Sequence, residues 1–328
     1  MNEAELLAKF TVDKPALKAW GDFVTRYVSA ELEKQLGTEL AVNGFLKVLA
    51  LPRIKEDFSL LGKAFRRGYA WNDPYNDITD KVGTRFVVLL LEGIERIKKI
   101  VNSSPHWTSD KSRDFEQEAE ENPTIFSYQS VHFIVRANIN SLHSGIMIPI
   151  ETPCEIQIRT LLQHAYSEMS HDNIYKSEVK SSPAVHRSMA RCMALIDSTD
   201  HMFKDASMEI EATKTEYERR MSEYEQMYQE TVHLQAKRDD RTTTSLLEEL
   251  QPLLSGITVD QVRKFIKDNP YIGVKIGERV STDFLYSQPL ILLLFYVANH
   301  QPDAMKKKWP YWPDYLTHLF HDLGIAYR

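Results

Sequence analysis

Apolar positions along the chain change their period several times, and those changes mark out its elements. Over residues 1 to about 50, Phe23, Tyr27 and Val28 recur at helical spacing and Gly37 supplies a stop, which predicts two helices acting as a lid or support layer. Val82 to Leu91 (VGTRFVVLLL) is a buried-strand pattern, and EGIERIKKIVNSS behind it has helical period. From about Ser103 to Asn122 both charges abound without apolar period, so a polar loop is expected. Strands are expected at Ser130 to Arg136 and at Cys154 to Arg159. In the second, which contains EIQIRT, Ile156 and Ile158 fall on one face while Glu155, Gln157 and Arg159 share the other. Alternation of this kind, taken alone, describes an edge strand with a solvated face. Its neighbours change that reading.

From Leu161 to about Lys237 the pattern is helical, interrupted by SSP at 181 to 183. Tyr217, Met221, Tyr224 and Tyr228 make an apolar stripe along one helix face, a surface for helix packing or for self-association into a homo-oligomer. The stretch KRDDRTTTS at 237 to 245 reads as a linker, and the rest as a small, mostly helical domain ending in KKKWPYWPDYLTHLF. The expected organisation is a helical layer at 1–50, a core at 51–180, a helical extension at 181–240 and a C-terminal domain at 246–328.

With 328 residues, 43% hydrophobic and 26% charged, the composition is that of a globular chain with room for two or three domains. A formal charge of -6 argues against a surface that binds nucleic acid non-specifically, so basic clusters must be sought one by one. Cys154 and Cys192 fit neither a disulfide framework nor a zinc site, and a reducing cytoplasm is the expected compartment. MNEAELLAKF lacks the features of a secretory signal. The run Pro289 to Ala298 is about half of the roughly 20 residues a spanning helix needs, so no membrane segment is expected.

Four segments carry candidate chemistry. Arg53, Lys55, Lys63, Arg66 and Arg67 place five cations in fifteen residues, with Ser59 among them. If Phe58 to Arg67 is helical, Ser59, Lys63, Arg66 and Arg67 share a face, which suits a polyphosphate as well as it suits solvent. No G-x-x-x-x-G-K-[ST] loop is present, so side chains would have to hold phosphate. Asp80-Lys-Val-Gly83-Thr-Arg85 then sets an acid ahead of a strand, where it could hold Mg²⁺, and projects Arg85 from that strand. In Phe126-Ser-Tyr128-Gln-Ser130-Val-His132, Ser130 and His132 share a strand face and Tyr128 stands at its entrance, placed either to pack or to stack on a base. Behind EIQIRT, the helix LLQHAYSEMSHDNIYK carries His164, Glu168, His171 and Asp172. Without H-E-x-x-H, these read as residues bracing the site rather than as zinc ligands.

Taken in order, R-x-K with downstream S, K and R, then D-x-x-G-x-R, Y-Q-S-x-H, and E-I-Q-I-R-T with its helix resemble the synthetase domain of the RelA/SpoT family over about residues 40 to 200. The resemblance implies an α+β, nucleotidyltransferase-like mixed sheet flanked by helices, here with a helical extension and a small C-terminal domain. It implies transfer of pyrophosphate from ATP to the ribose 3'-hydroxyl of GDP or GTP, giving ppGpp or pppGpp. Arg53, Lys55, Ser59, Lys63, Arg66, Arg67 and Arg85 would then serve ATP, and Asp80 and Glu155 would hold Mg²⁺ as the catalytic pair. Glu155 would also draw the hydroxyl proton, Tyr128 would stack on the acceptor guanine, and His132, Gln157 and Arg159 would line the nucleotide sites. Where the family has Asn-Gly before the tyrosine, this chain has Phe126-Ser127, implying a differently shaped acceptor loop. No set of metal-binding histidines for a hydrolase domain precedes the core, so a synthetase-only relative with its own C-terminal extension is expected. Two other readings stay open: a toxin-type enzyme that modifies the 3' end of tRNA, and a catalytically silent nucleotide-binding regulator.

Overall fold

The helix α1 (Glu3–Leu36) opens the chain, capped at one end by a reciprocal Asn2–Glu5 box and ended at the other by Gly37, whose φ of 91° only glycine adopts at no cost. The computed structural model describes residues 1–66, 68, 70–121, 130–170 and 182–326. They fall into two compact units, Met1–Ser207 and Met208–Arg328.

In the first unit α1 is followed by α2 (Glu39–Phe45), β1 (Arg53–Ile54), α3 (Asp57–Leu61), a π-type turn (Gly62–Arg66), α4 (Pro74–Asp77), β2 (Val82–Val88) and α5 (Leu91–Ser103). Then come β3 (Trp107–Arg113), α6 (Phe115–Glu121), β4 (Val131–Ala137), the hairpin β5 (Ser141–His143) and β6 (Ile146–Ile148), β7 (Pro153–Thr160), α7 (Leu161–Ser170) and the start of α8 (Pro183–Val232). Among the described residues, five strands form one sheet in the order β1-β2-β7-β4-β3. β2 and β7 run parallel and the other neighbours antiparallel, so the sheet is mixed and the class is α+β, as the sequence implies.

The core lies on one face of that sheet. Val82, Phe86, Val131, Phe133, Ile156 and Ile158 are buried there with Leu17, Trp20, Val24 and Val28 of α1 and Ile94, Ile97 and Val101 of α5. The approach of α1 is close. A Cβ on Gly21 would lie 2.7 Å from Val82 Cγ2 and 2.8 Å from Pro52 Cβ. Side chains alternate along a strand, so the same packing turns Gly83, Arg85, Glu155, Gln157, Arg159 and His132 to the opposite face.

Residues 103–122, expected as a loop, instead hold β3 and α6. Among the described residues β3 pairs only with β4 at the sheet edge, and Trp107 alone among its residues is buried, which leaves no apolar period to read.

The second unit begins inside α8. The stripe Met221, Tyr224 and Tyr228, with Tyr217 partly buried, packs within this unit, which is the helix-packing meaning of that pattern. Around it lie α9 (Asp240–Leu254), α10 (Val259–Asp268), α11 (Tyr271–Arg279), a 3₁₀ turn (Phe284–Ser287), α12 (Ile291–His300), α13 (Pro302–Lys308) and α14 (Pro313–Asp322). α12 is apolar all round because the other helices surround it, and among the described residues no helix is long and apolar enough to cross a membrane. Residues 237–245 do not form a free linker. Asp239 caps α9 by accepting from the Thr242 N–H at 2.7 Å, and Arg238 grips Glu218 with two bonds of 2.8 Å. The polar composition that suggests a linker here belongs to a helix start.

Candidate functional site

The middle strand of the sheet, β7, carries the densest polar row. Its register sets Glu155 beside Gly83 and Gln157 beside both Arg85 and His132. Along the row Arg159 donates to Gln157 Oε1, and Gln157 Nε2 donates to Glu155 Oε2 at 2.8 Å. Across it, His132 Nδ1 lies 3.3 Å from the other Glu155 oxygen. Arg159 is only 1% exposed, so its charge is held inside the protein against this chain of amide and carboxylate. Burial pushes the Glu155 carboxyl up, but the His132 and Gln157 hydrogen bonds and the His132 charge outweigh burial and the nearby Asp80 charge, leaving it below the usual carboxylate range.

Asp80 opens the turn ahead of β2. Its Oδ2 accepts from Lys55 Nζ at 2.7 Å and lies 3.0 Å from Lys63 Nζ. Lys55 is brought there because its N–H bonds the Lys81 carbonyl at 2.9 Å, and Lys63 because it sits on the π-type turn. Burial raises the Asp80 pKa and the two lysines more than reverse that, so the carboxyl stays ionised well into acid. The second oxygen, Oδ1, is buried and has no hydrogen-bond partner among the described residues. An open surface depression lined by Lys14, Lys18, Ile54, Lys55, Glu56 and Asp57 adjoins the cluster through Lys55.

On the same sheet face Arg85 Nη1 donates to Glu168 Oε1 at 2.7 Å and lies 3.5 Å from His164 Nδ1. Burial, with the charges of Arg85 and Arg159, lowers the His164 pKa, so this ring is neutral near pH 7. The bracing role expected for His164 and Glu168 therefore has a specific object, the Arg85 guanidinium.

The structure thus gathers Lys55, Lys63 and Asp80 in one cluster, and Glu155, Gln157, Arg159 and His132 in a second, with Arg85 beside Gln157. Arg53 pairs in register with Gly83, which lies beside Glu155, so it falls on this sheet face, 68% exposed and 3.5 Å from Glu56. Ser59 is half-buried on α3. Arg66 stands 3.3 Å from Glu3 of α1 and over the Phe58 ring. It does not share the face of Lys63, because a π-type turn has more residues per turn than an α-helix and positions three apart diverge. Arg67, Tyr128, His171 and Asp172 lie outside the described residues.

One contributor has no signal in the sequence. Lys81, 4% exposed, donates to the Tyr75 and Ile78 carbonyls at 2.6 Å each and so holds the turn that presents Asp80. Burial pushes its pKa down to about 8. Nothing in the residues around it distinguishes a buried lysine from a solvated one.

Residues 52–180 match the family model described as "Region found in RelA / SpoT proteins". The chain carries a RelA/SpoT region. That region contains every strand of the five-stranded sheet and both carboxylate clusters. Similar solved structures include the small alarmone synthetase 1 from Bacillus subtilis, at 20% identity over 59% of this chain and 98% of that chain, with a TM-score of 0.43. The form of that synthetase bound to its product pppGpp aligns at 22% identity over 58% of this chain and 98% of that chain, again with a TM-score of 0.43. A GTP pyrophosphokinase family protein from Streptococcus pneumoniae aligns at 19% identity over 59% of this chain and 95% of that chain, with a TM-score of 0.44. No curated protein matches the chain.

Proposed function

We propose that the RelA/SpoT region transfers pyrophosphate from ATP to the 3'-hydroxyl of GDP or GTP. The observation that carries this reading is the juxtaposition of two mostly buried, ionised carboxylates, Asp80 and Glu155, with Lys55 and Lys63 gathered on the first. Among the described residues no three His, Cys, Asp or Glu side chains converge as a metal cluster. Two carboxylates suit Mg²⁺, which typically takes one or two from protein and fills the rest with water and phosphate oxygen. The buried, unpartnered Oδ1 of Asp80 fits that group, and Asp80 and Glu155 would hold it. When bound, magnesium would neutralise charge on the transferred phosphoryl groups.

The chain's own residues account for the remaining steps. Lys55 and Lys63 bind the polyphosphate and absorb charge as it moves toward the leaving oxygen. Arg85, held by Glu168, offers a planar cation to the donor nucleotide. The acceptor 3'-oxygen attacks the β-phosphorus of ATP, its proton passes to Glu155, and the bond to the α-phosphate breaks to release AMP. Glu155 is fixed for this by His132 on one oxygen and Gln157 on the other, so it requires little reorganisation during the reaction. Arg159, one position past Gln157 along the same face, keeps the amide oriented.

The test is incubation of the full chain with γ-labelled ATP and Mg²⁺, offering GDP, GTP, ATP or bulk tRNA, beside Glu155→Gln. Label moving to GDP or GTP, and lost in the variant, is the expected result. Label moving to tRNA alone would overturn the acceptor, and transfer that survives in Glu155→Gln would overturn the role of Glu155.

A further inference from the structure

Thr160 ends β7, one residue past Arg159, and is fully buried. It forms a reciprocal box with the first turn of α7. The Thr160 N–H donates to Gln163 Oε1 at 3.0 Å, and the Gln163 N–H donates to Thr160 Oγ1 at 3.1 Å. The hydroxyl then uses its one hydrogen on a residue remote in sequence, donating to Asp200 Oδ2 of α8 at 2.7 Å. Asp200 is 2% exposed, and its other oxygen has no hydrogen-bond partner among the described residues. Burial, reinforced by the Asp197 charge and opposed by the Thr160 bond and His201, pushes this carboxyl up to about 6.

Burying a carboxyl for one hydrogen bond is costly compared with an apolar residue of similar size. Neighbouring contacts of α8 are of the inexpensive kind, through the buried Met189 and Met193. Apolar contacts let a helix slide and turn, whereas a hydrogen bond with one donor and one acceptor fixes both its rotation and its height. The point fixed is the junction from which β7 presents Arg159 and α7 presents His164 and Glu168, the partners of Arg85.

We propose that Asp200 is a positioning residue, which through the Thr160 hydroxyl sets the β7–α7 junction and thereby the placement of Arg159 and Arg85 relative to Glu155. Its consequence for catalysis rests on the pyrophosphate-transfer reading above, while its structural part does not.

The test uses the full chain with Asp200→Ala, Thr160→Val, their combination, and the conservative Asp200→Asn and Thr160→Ser, each of which keeps an acceptor or a hydroxyl. Amide exchange over residues 160 to 163 is read by mass spectrometry, and transfer from ATP is read as kcat and KM. Exchange in that segment should quicken about tenfold or more in Asp200→Ala and further in Thr160→Val, which also removes the acceptor of the Gln163 N–H, and the double variant should be no faster than Thr160→Val alone. Asp200→Asn and Thr160→Ser should keep wild-type exchange. kcat should fall about tenfold in the disruptive pair and the KM for ATP should rise by a smaller factor, because Lys55, Lys63 and Asp80 are not part of this junction whereas Arg85 is braced by it. Wild-type exchange in both disruptive variants, or additive effects in the double variant, would overturn the proposal. If the wild-type chain transfers label to no acceptor, the functional reading fails and the exchange arm still decides the role of Asp200.

Discussion

Gly83→Ala is the substitution whose effect on the site can be worked most directly from the structure. A Cβ at this position would lie 3.1 Å from the Glu155 carbonyl oxygen, 3.5 Å from its Cβ and 3.8 Å from its Oε2. The first contact is tighter than carbon and oxygen prefer, and the atom in the way is backbone of a strand paired on both sides, to β2 and to β4. No rotamer change relieves it, so β2 and β7 must part by a few tenths of an ångström. Overpacking of this kind costs about 1–3 kcal/mol, and the alanine returns about 0.5–1 kcal/mol by restricting the unfolded chain. The net loss of stability is therefore about 0–2.5 kcal/mol, a fall in melting temperature of a few degrees for a unit of this size. Activity should suffer more, because the displaced residue is Glu155 itself. A misplacement of about 1 Å can cost on the order of 100-fold, so a few tenths should cost about three- to tenfold in kcat. Thermal unfolding and the labelled-ATP transfer, measured at a temperature where both proteins are folded, separate the two effects. The reasoning is refuted if Gly83→Ala melts and turns over like the wild type, or if its lost activity equals its unfolded fraction.

Three further substitutions test the charges around the site and in the second unit. Asp80→Asn removes the carboxylate on which Lys55 and Lys63 converge; urea unfolding should show a loss of about 1–3 kcal/mol, and transfer should fall on the order of 100-fold. Lys81→Met tests the opposite sign. The folded pKa of Lys81 is depressed to about 8 from 10.5, so its contribution is present above 10.5 and lost as pH falls through 8. The wild type should gain up to about 3 kcal/mol from this group between pH 7 and pH 10.5, and urea titrations of Lys81→Met should lack that slope. In the second unit Asp322 accepts from Arg279 at 2.8 and 3.1 Å and from the Tyr286 hydroxyl at 2.7 Å, and although burial raises its pKa these partners hold it below 3.8. Its contribution is present above 3.8 and lost as pH falls through the folded value, so Asp322→Asn should unfold more readily than the wild type at pH 7, with the gap narrowing in acid.

How much of this the sequence disclosed depended on whether a residue's neighbours in the chain share its environment. β7 was legible because Ile156 and Ile158 are both buried on one face, so alternation along the chain is alternation in space. Gly37 was legible because a helix stop is a local event. β3 was not, since an edge strand with one buried residue has the composition of a loop. The cation at Arg66 was visible as a residue but not as a placement, because it stands beside Glu3 and the π-type turn rotates it away from Lys63. Asp200 was out of reach altogether, as its partner is forty residues away and its immediate neighbours carry no pattern.

The charges of the site also explain how a chain with a formal charge of -6 can suit a polyanionic substrate. Four cations, Lys55, Lys63, Arg85 and Arg159, stand against three carboxylates, Asp80, Glu155 and Glu168. The excess is small and unevenly placed. Arg85 is paired with Glu168, and Arg159 reaches Glu155 through Gln157, but Lys55 and Lys63 share the single carboxylate of Asp80. Local positive potential therefore concentrates at the Asp80 corner, where a phosphate oxygen gains one lysine without stripping the other from its partner. Each added phosphate contact exchanges one carboxylate for another anion rather than meeting an unpaired cation, so its net energy is a difference of similar terms and small compared with the gross attraction.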